Sequence, residues 1–256
     1  MLKIFLFLYQ WLIAFPILLF MTAFTAIFTV CTMPWKNSEP VHKVQQLWSR
    51  LFFWLFFMNA EVEGEENLVP GQSYVFVSNH QSLFDVWLIY GWLPVIFKWI
   101  MKAELRKVPF IGFGCAAAGH IFIERTHLKQ AKHSIEKAKQ TLTGGVSVVV
   151  FPEGTRSADG KVQEFKAGAF QVALDLDLPV VPLTLIGPYN VLPRNAALVR
   201  PAQRVKLVIG KPVDITPYIA PDDADRQTKK EMQHQAMELL RSEIITTMER
   251  EDRLMS

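Results

Sequence analysis

The sequence predicts an α/β fold, with a largely parallel or mixed sheet covered by helices on both faces, preceded by an N-terminal membrane-docking helical segment. From about residue 60, short runs of β-branched and aromatic residues recur, and helical stretches separate several of them. A long uncharged apolar segment precedes these runs. We therefore expect residues 1–59 to anchor the chain in a membrane and residues 60–256 to form the α/β domain.

Six apolar runs are predicted to be strands, at 74–77, 95–100, 120–123, 146–151, 180–186 and 205–209. Apolar residues at helical spacing predict one helix over about 128–143 and a final helix over about 225–250. The apolar stripe of the final helix is expected to pack on the sheet. Because strands alternate with helices, most neighbouring strands should run parallel.

Residues 4–33 carry no charge, and these 30 residues would run roughly 45 Å as a helix, against a hydrocarbon core of about 30 Å. The segment is too long for a signal-peptide core, and no small-residue cleavage site follows it. Pro16 lies in its middle, so a tilted span and a bent or re-entrant hairpin are both compatible with the sequence. A second apolar helix is predicted at about 41–59. Its apolar core, residues 51–58, is too short to span, so an interfacial helix is expected.

Composition agrees with membrane contact and excludes some function classes. Half of the 256 residues are hydrophobic, and the mean hydropathy of +0.18 is high for a soluble protein. The net charge of +3 is too small to indicate nucleic-acid binding. The two cysteines, Cys31 and Cys115, form neither a disulfide framework nor a metal-ligand spacing, so a reducing compartment is expected.

An imidazole and a carboxylate stand five residues apart at His80 and Asp85, after the predicted strand 74–77. Five helical steps of about 100° leave two side chains roughly 140° apart, so the pair cannot share one helix face. The two side chains meet if His80 precedes a helix and Asp85 lies in its first turn, with Ser82 as a good N-cap. The pair is then a candidate general base, its tautomer fixed by the carboxylate. In the alternative interpretation, Asp85 only caps the helix and His80 is an ordinary loop residue.

A second polar stretch, residues 151–157, follows the predicted strand that ends near Phe151. Gly154 and its neighbours can turn backbone N–H groups toward an anion at the end of a strand. Thr155 adds a hydroxyl, and Arg156 adds a planar fork that suits phosphate. Glu153 would repel a phosphate, so we expect it to orient Arg156 or to accept from a substrate hydroxyl. A surface turn with a salt bridge is the alternative.

A third stretch, residues 102–125, begins with Lys102 and ends with Arg125, which follows the predicted strand 120–123. The end of a strand is a natural position for a phosphate ligand. Taken alone, either residue also fits the role of a structural cation.

Together these stretches resemble the glycerolipid acyltransferases, and in particular the 1-acyl-glycerol-3-phosphate acyltransferase family. The resemblance covers about residues 60–215, and seven consecutive matches in its third motif make it specific. The residues that carry it are Asn79, His80, Asp85, Lys102, Leu105, Pro109, Gly112, Gly119, the run 121–125, the run 151–157, Gly160, Phe165, Lys166, Gly168 and the run 180–182. Two positions depart from the family pattern: Glu124 replaces a frequent aspartate, and Leu183-Thr184 replaces a more valine-rich fourth motif.

The resemblance implies transfer of an acyl group from a thioester of CoA or acyl carrier protein to lysophosphatidic acid, giving phosphatidic acid. His80 and Asp85 would be catalytic. The resemblance implies that the substrate is bound by Lys102, Arg125, Glu153, Gly154, Thr155 and Arg156. No cofactor beyond the acyl donor is implied and no metal, because His80 and Asp85 lack further ligands at metal spacing.

The expected location is the cell inner membrane, with the catalytic domain on the cytoplasmic side. Lys36, Lys43 and Arg50 follow the first apolar segment, whereas only Lys3 precedes it. Three alternatives stay open. The acceptor is another lysophospholipid or a lyso-aminolipid, the reaction is hydrolysis by a thioesterase or lipid hydrolase, or the chain binds membrane lipid without catalysis.

Overall fold

The computed structural model describes residues 2–123, 139, 142, 144–167, 171, 175–221 and 223–255. The strands are β1 (Ala60–Glu63), β2 (Val75–Ser78), β3 (Phe97–Lys102), β4 (Ile121–Ile123), β5 (Ser147–Val150), β6 (Val180–Ile186) and β7 (Val205–Ile209). The helices are α1 (Leu2–Tyr9), α2 (Phe15–Cys31), α3 (Glu39–Trp54), α4 (Phe84–Trp92), α5 (Ile111–Ala117), α6 (Pro188–Val191) and α7 (Arg226–Met255). A π-helical turn, Gln10–Ala14, joins α1 to α2, and short 3₁₀ turns occur at Met33–Trp35, Glu65–Asn67, Ala103–Lys107 and Thr216–Tyr218.

The described strands form one mixed sheet in the order β1-β7-β6-β2-β5-β3-β4. All neighbouring pairs run parallel except β6 and β7, which are antiparallel. In the centre, Phe76 of β2 is in register with Val149 of β5 on one side and with Val181 of β6 on the other. The predicted α/β class with a largely parallel or mixed sheet is therefore confirmed.

Each of the six predicted strands is present, with ends that differ by two residues or fewer, but the sequence analysis missed β1. This edge strand has the sequence Ala-Glu-Val-Glu, so it carries no apolar run. Its glutamates pair with cations near or on β7: Glu61 lies 3.0 Å from Arg204, and Glu63 lies 2.6 Å from Lys206. Ion pairs therefore accompany the pairing of β1 with β7. They cannot be recognised from the sequence of β1 alone.

Apolar cores cover both faces of the sheet. Residues that alternate along β2 face opposite sides, with Phe76 in a core shared with α3 and α4 and Val77 in a core shared with α7. The predicted final helix is α7, and its stripe packs on the sheet as expected, since Ala236, Leu240 and Ile244 are fully buried. The predicted helix at 128–143 lies almost entirely outside the described residues.

The N-terminal apolar segment is helical from Leu2 to Cys31 and does not reverse at Pro16. The π-helical turn just before Pro16 accommodates a residue that lacks an N–H and crowds the preceding turn. The chain reverses instead at residues 32–38, so that α2 runs antiparallel to α3. The bent-hairpin alternative at Pro16 is therefore wrong.

Contacts at several points along this long helix hold it against the rest of the protein. Gln10 exchanges two hydrogen bonds with the backbone of Val199, at 2.8 and 3.0 Å. Further along, the Trp48 indole N–H donates to the Thr22 hydroxyl at 3.1 Å. The Gln45 amide then reaches the Thr29 hydroxyl at 3.4 Å. One helix face is thus fixed to the protein from residue 10 to residue 29.

The aromatic run at 51–58, predicted to lie at an interface, is divided between two environments. Phe52, Phe53 and Phe56 are buried in the core against α4, whereas Trp54 and Phe57 are exposed. The run therefore joins the N-terminal segment to the α/β core, and only part of it is available to an interface.

Candidate active site

The candidate residues lie where the carboxyl ends of parallel strands meet. β2, β5 and β3 are successive neighbours in the sheet, so the loops that follow them leave from the same edge. His80 follows β2, the turn 151–157 follows β5, and Lys102 ends β3. The strand order therefore brings motifs that are far apart in the chain to the same edge of the sheet.

His80 and Asp85 meet in the geometry that the sequence required. His80 lies in the loop before α4 and Asp85 lies in the helix's first turn, with 2.8 Å between Nδ1 and Oδ2. The histidine side chain is 16% exposed and the aspartate is fully buried. An ionised carboxylate only accepts hydrogen bonds, so it places the imidazole proton on Nδ1 and leaves Nε2 as the basic nitrogen.

Asp85 contacts the start of the helix as well as the imidazole, so the two interpretations of this residue do not exclude a shared position. The same oxygen, Oδ2, accepts from the backbone N–H groups of Gln81 at 2.5 Å and Ser82 at 2.7 Å. The Ser82 hydroxyl in turn accepts from the Phe84 N–H at 3.2 Å, which completes a capping-box pattern. These contacts fix the carboxylate before any substrate arrives.

An aromatic ring that the sequence analysis did not single out fixes the plane of the imidazole. Phe151 stacks on His80 with a ring-centroid distance of 4.0 Å and an interplanar angle of 10°. Behind it, Trp99 of β3 stacks on Phe151 at 5.2 Å. The stack covers one face of the imidazole.

The turn 151–157 holds the backbone of His80 from both sides. The His80 N–H donates to Oε1 of Glu153 at 2.9 Å, and the His80 carbonyl accepts from the Ser157 N–H at 2.7 Å. Two motifs separated by some 70 residues in sequence are therefore in direct contact. This contact could not be foreseen from either motif alone.

Glu153 does not occupy the position expected of it. Its side chain is 1% exposed and points into the protein, where its partners are the backbone N–H groups of His80 and Gln163. Burial raises the pKa of this carboxyl to about 8, and the charge of Asp85 acts in the same direction. Its Oε2 has no hydrogen-bond partner among the described residues, which costs least when the carboxyl is uncharged. The apparent conflict between an acid and a bound phosphate disappears, because the acid is neutral near pH 7 and faces inward.

Gly154, Thr155 and Arg156 form the outer side of the turn. Gly154 has φ of +70° and donates to the Phe151 carbonyl at 3.1 Å, which closes a tight turn that favours glycine. Thr155 is exposed and Arg156 is half-buried. Since the Ser157 N–H donates to the His80 carbonyl, Arg156 precedes a residue that is bonded to the His80 backbone, on the same edge of the sheet.

Lys102 is not in contact with His80 in the part of the chain that the structure describes. Lys102 is exposed at the end of β3, two strands from β2, which corresponds to roughly 10 Å at the usual strand spacing. Arg125 lies outside the described residues. Lys102 thus flanks the candidate site.

Residues on other elements support the loop from behind. The Asn79 side chain bonds both backbone groups of Leu185 on β6, donating at 3.0 Å and accepting at 2.9 Å. The Gln81 amide donates to the Gly160 carbonyl. Met248 of α7 places its sulfur 3.8 Å from the Asn79 amide. Nothing in the pattern of α7 distinguishes Met248 from an ordinary core residue.

Two other described histidines are unsuited to the role of base. Burial lowers the pKa of His42 to about 4 and that of His120 to about 3. His120 is also engaged by the Trp99 N–H at 3.2 Å and the Tyr90 hydroxyl at 3.1 Å. Both are neutral structural groups at physiological pH.

The fold and the site together define an α/β protein in which an imidazole, held by a carboxylate, lies beside a glycine-containing turn at the carboxyl edge of the sheet. Over the described residues, no cluster of three or more His, Cys, Asp or Glu side chains offers a metal site. A family model described as Acyltransferase matches residues 59–186, half of the chain. The chain belongs to the Acyltransferase family.

Individual relatives agree with this assignment. A chloroplast 1-acyl-sn-glycerol-3-phosphate acyltransferase of Arabidopsis thaliana is 34% identical over 173 residues, which cover 67% of this chain and 48% of that protein. The alpha form from Mus musculus is 33% identical over 195 residues, covering 76% of this chain and 68% of that one. The chain spans about half the length of the first curated relatives that it matches.

A solved structure extends the similarity to nearly the whole chain. The 1-acyl-sn-glycerophosphate acyltransferase of Thermotoga maritima superposes with a TM-score of 0.66 at 29% identity. The match covers 93% of this chain and 96% of the other, so it extends into the N-terminal helices.

Proposed function

We propose that this protein transfers an acyl group from an acyl thioester to the free hydroxyl of lysophosphatidic acid, giving phosphatidic acid at a membrane surface. The observation that supports the proposal is the contact between His80, Asp85 and the turn 151–157, because it would let a base and an anion-binding turn act on one substrate. The named relatives are acyltransferases of this acceptor.

In the proposed reaction, Nε2 of His80 takes the proton of the glycerol hydroxyl as its oxygen attacks the thioester carbonyl. The new carbon–oxygen bond forms a tetrahedral intermediate, and the carbon–sulfur bond then breaks. The imidazolium returns its proton to the leaving thiolate, so the enzyme ends unchanged. Asp85 stabilises the imidazolium between these steps, and a base of this kind contributes about 10²–10⁴ in rate.

The acceptor phosphate would bind on the outer side of the turn, at Gly154, Thr155 and Arg156. Arg156 supplies a bidentate fork, and the turn supplies N–H and hydroxyl donors. Lys102 and Arg125 would add positive charge at the rim, and Glu153 would contribute only through the loop that it holds. The donor is acyl-CoA or acyl-acyl carrier protein, with no further cofactor and no metal.

The distribution of side chains on the N-terminal helix supports membrane attachment, because polar residues face the protein and apolar residues face outward. The stretch Ile4–Cys31 is long and apolar enough to cross a membrane by length and composition. Its buried stripe contains the polar residues Gln10, Thr25 and Thr29, whereas its exposed face carries large apolar side chains. These include Phe5, Leu12, Leu19, Phe20, Phe24 and Ile27. A helix whose outside is more apolar than its inside is suited to lipid.

The helix would lie in one leaflet instead of crossing the bilayer. Gln10 and Thr29 are fixed to the same body of protein from opposite ends of the segment. A crossing helix would carry its N-terminal half away from that body. We assign this leaflet to the cytoplasmic side of the inner membrane, where soluble thioesters are available.

The direct test is identification of the product. The full chain in detergent–lipid micelles is supplied with lysophosphatidic acid, lysophosphatidylethanolamine or lysophosphatidylglycerol, each with acyl-CoA or acyl-acyl carrier protein, and products are identified by mass spectrometry. We expect phosphatidic acid from the first acceptor, at least about 10³-fold slower with His80→Ala. Free fatty acid without lysolipid acylation would instead identify a hydrolase, and near-normal turnover by His80→Ala would reject the base.

A further inference from the structure

We propose that a surface of exposed apolar residues running from the 3₁₀ turn after β3 into the start of α5, here called the 105–113 patch, is a second lipid contact beside the catalytic edge. The patch consists of Leu105, Val108, Phe110, Ile111 and Phe113, which are 38–45% exposed. Five large apolar side chains within nine residues form a cluster, whereas single exposed apolar residues are ordinary. The inference rests on the proposed membrane placement of the N-terminal helix and adds a contact within the α/β domain.

The patch is placed by the sheet itself. Lys102 ends β3 at the edge that also carries His80, and the patch begins three residues later. A lipid contact there would bring the catalytic edge down to the membrane surface. An acceptor could then present its head group while its acyl chain stays in the leaflet.

The patch is continuous with the helix proposed to lie in lipid. α5 packs on α2, and Gly114 approaches so closely that an added Cβ would come within 3.1 Å of the Ala26 Cβ. Ala26 is five residues from the end of α2, and Ile27 next to it is 55% exposed. Lipid that covers Ile27 would therefore extend directly over Phe113, the residue before Gly114.

The exposure of the patch is built into a tightly folded loop. Phe110 has φ of +59°, which is rare for a residue with a Cβ, and its carbonyl accepts from the Gly114 N–H at 3.1 Å. The Gly112 N–H donates to the Val108 carbonyl at 2.7 Å. A Cβ on Gly112 would meet the Arg106 carbonyl oxygen at 2.0 Å, so only glycine permits this fold. The apolar side chains are thus held outward by backbone contacts.

Charge selects lipid as the occupant in preference to a second copy of the chain. Lys102, Arg106 and Lys107 border the apolar residues, with Glu104 as the one acid in that run. Apolar side chains bordered by basic ones match an anionic bilayer surface. Two copies meeting through this patch would bring their cations together.

The test reads the environment of the patch without using activity. In a Cys31→Ser, Cys115→Ser background, Phe110→Cys carries an environment-sensitive fluorophore, and the full chain is reconstituted on phosphatidylglycerol-containing vesicles. Val69→Cys is the matched control, because Val69 is 58% exposed on the turn that precedes β2, at the opposite edge of the sheet. We expect nitroxide-labelled lipids to quench the label at 110 at least about threefold more than the label at 69.

Equal quenching at the two positions, or energy transfer between labelled copies at 110, would overturn the proposal. A second arm uses Phe110→Ser with Phe113→Ser. Its rate on vesicle-embedded acceptor should fall about fivefold or more, while its rate on a short-chain monomeric acceptor should change less than about twofold. An equal loss of rate on both acceptors would show that Phe110 and Phe113 are needed for folding and not for lipid contact, which would overturn the proposal. Because quenching needs no turnover, failure of the proposed reaction would leave this result readable.

Discussion

The backbone N–H of His80 donates to the side chain of Glu153 across 2.9 Å, which couples the loop that carries the imidazole to the turn that follows β5. The reciprocal bond, from the Ser157 N–H to the His80 carbonyl at 2.7 Å, makes the coupling two-sided. Residue 80 is therefore positioned through its main chain, in addition to the Asp85 contact on its ring.

This coupling predicts that Glu153 acts on turnover through the position of His80. Glu153→Ala removes the acceptor of the His80 N–H and leaves a cavity, so kcat should fall by about 10–100-fold. Glu153→Gln keeps an amide oxygen at that place and should stay within about fivefold of the parent. The KM for lysophosphatidic acid should hardly change in either variant, and steady-state kinetics measure both constants. A raised KM in both variants would instead show that Glu153 contacts the acceptor.

The raised pKa of Glu153 predicts a stability that depends on pH. Between the ordinary value of 4.5 and about 8, the folded protein keeps a proton on this carboxyl that the unfolded chain has lost. The stability of the fold therefore falls as pH rises through this window, by at most about 1.4 kcal/mol per pH unit. Glu153→Gln lacks the titrating group, so the thermal midpoint of the variant should rise relative to that of the parent as the pH increases from 5 to 8. Glu164→Gln, an exposed carboxyl in the same segment, is the control and should show no such trend.

Most of the fold could be predicted from the sequence, because its apolar runs have the length of strands and are separated by helical stretches. Both faces of β5 and β6 are buried, so these strands have almost uninterrupted apolar sequences. β1 was missed because its glutamates pair with Arg204 and Lys206, and such pairing appears only when two strands are side by side. The chain reverses between α2 and α3, and the contacts between these two helices determine that position. The sequence around Pro16 contains no information about those contacts.

The candidate site was predictable where its chemistry is local. Asp85 lies close enough to His80 in sequence for a geometric argument, and the structure contains that contact. Glu153 was misjudged because a sequence shows that a residue is acidic but not which way it points. Phe151 and Met248 act through packing between distant segments, and an apolar residue in a motif gives no sign of the ring or amide that it will meet.

Asp85→Asn should reduce kcat by about 10² or more and should also destabilise α4. The asparagine oxygen can still accept at the Oδ2 position from His80 Nδ1, Gln81 N and Ser82 N, but it carries no negative charge. The imidazolium that forms during the reaction would then lose its stabilising partner, and the start of the helix would lose an acidic cap. Ser82→Ala loses the capping hydroxyl but leaves the His80 contact, so it controls for the helix. Equal losses of kcat in the two variants would mean that Asp85 acts only as a cap.

Arg156→Ala should raise the KM for lysophosphatidic acid by about tenfold or more, because a charge-assisted fork on phosphate is lost. Turnover of a monoacylglycerol, which has the hydroxyl but no phosphate, should change little by comparison. Arg194→Ala is the matched control: its guanidinium donates to the Arg156 carbonyl at 3.1 Å from an exposed position. An unchanged KM in Arg156→Ala would move the phosphate site to other residues.

The stability of Gln10→Leu distinguishes two placements of the N-terminal helix: packed against the protein, or crossing the bilayer surrounded by lipid. Gln10 is 1% exposed and satisfies both backbone groups of Val199. Leucine would leave these two groups unpaired, at a cost of about 1–3 kcal/mol each, so the thermal midpoint in detergent should fall by several degrees. Leu19→Val, at a position 65% exposed, should change it little. In a helix surrounded by lipid, replacing glutamine by leucine would raise stability, so an increase in the midpoint would reject the in-plane placement of the N-terminal helix.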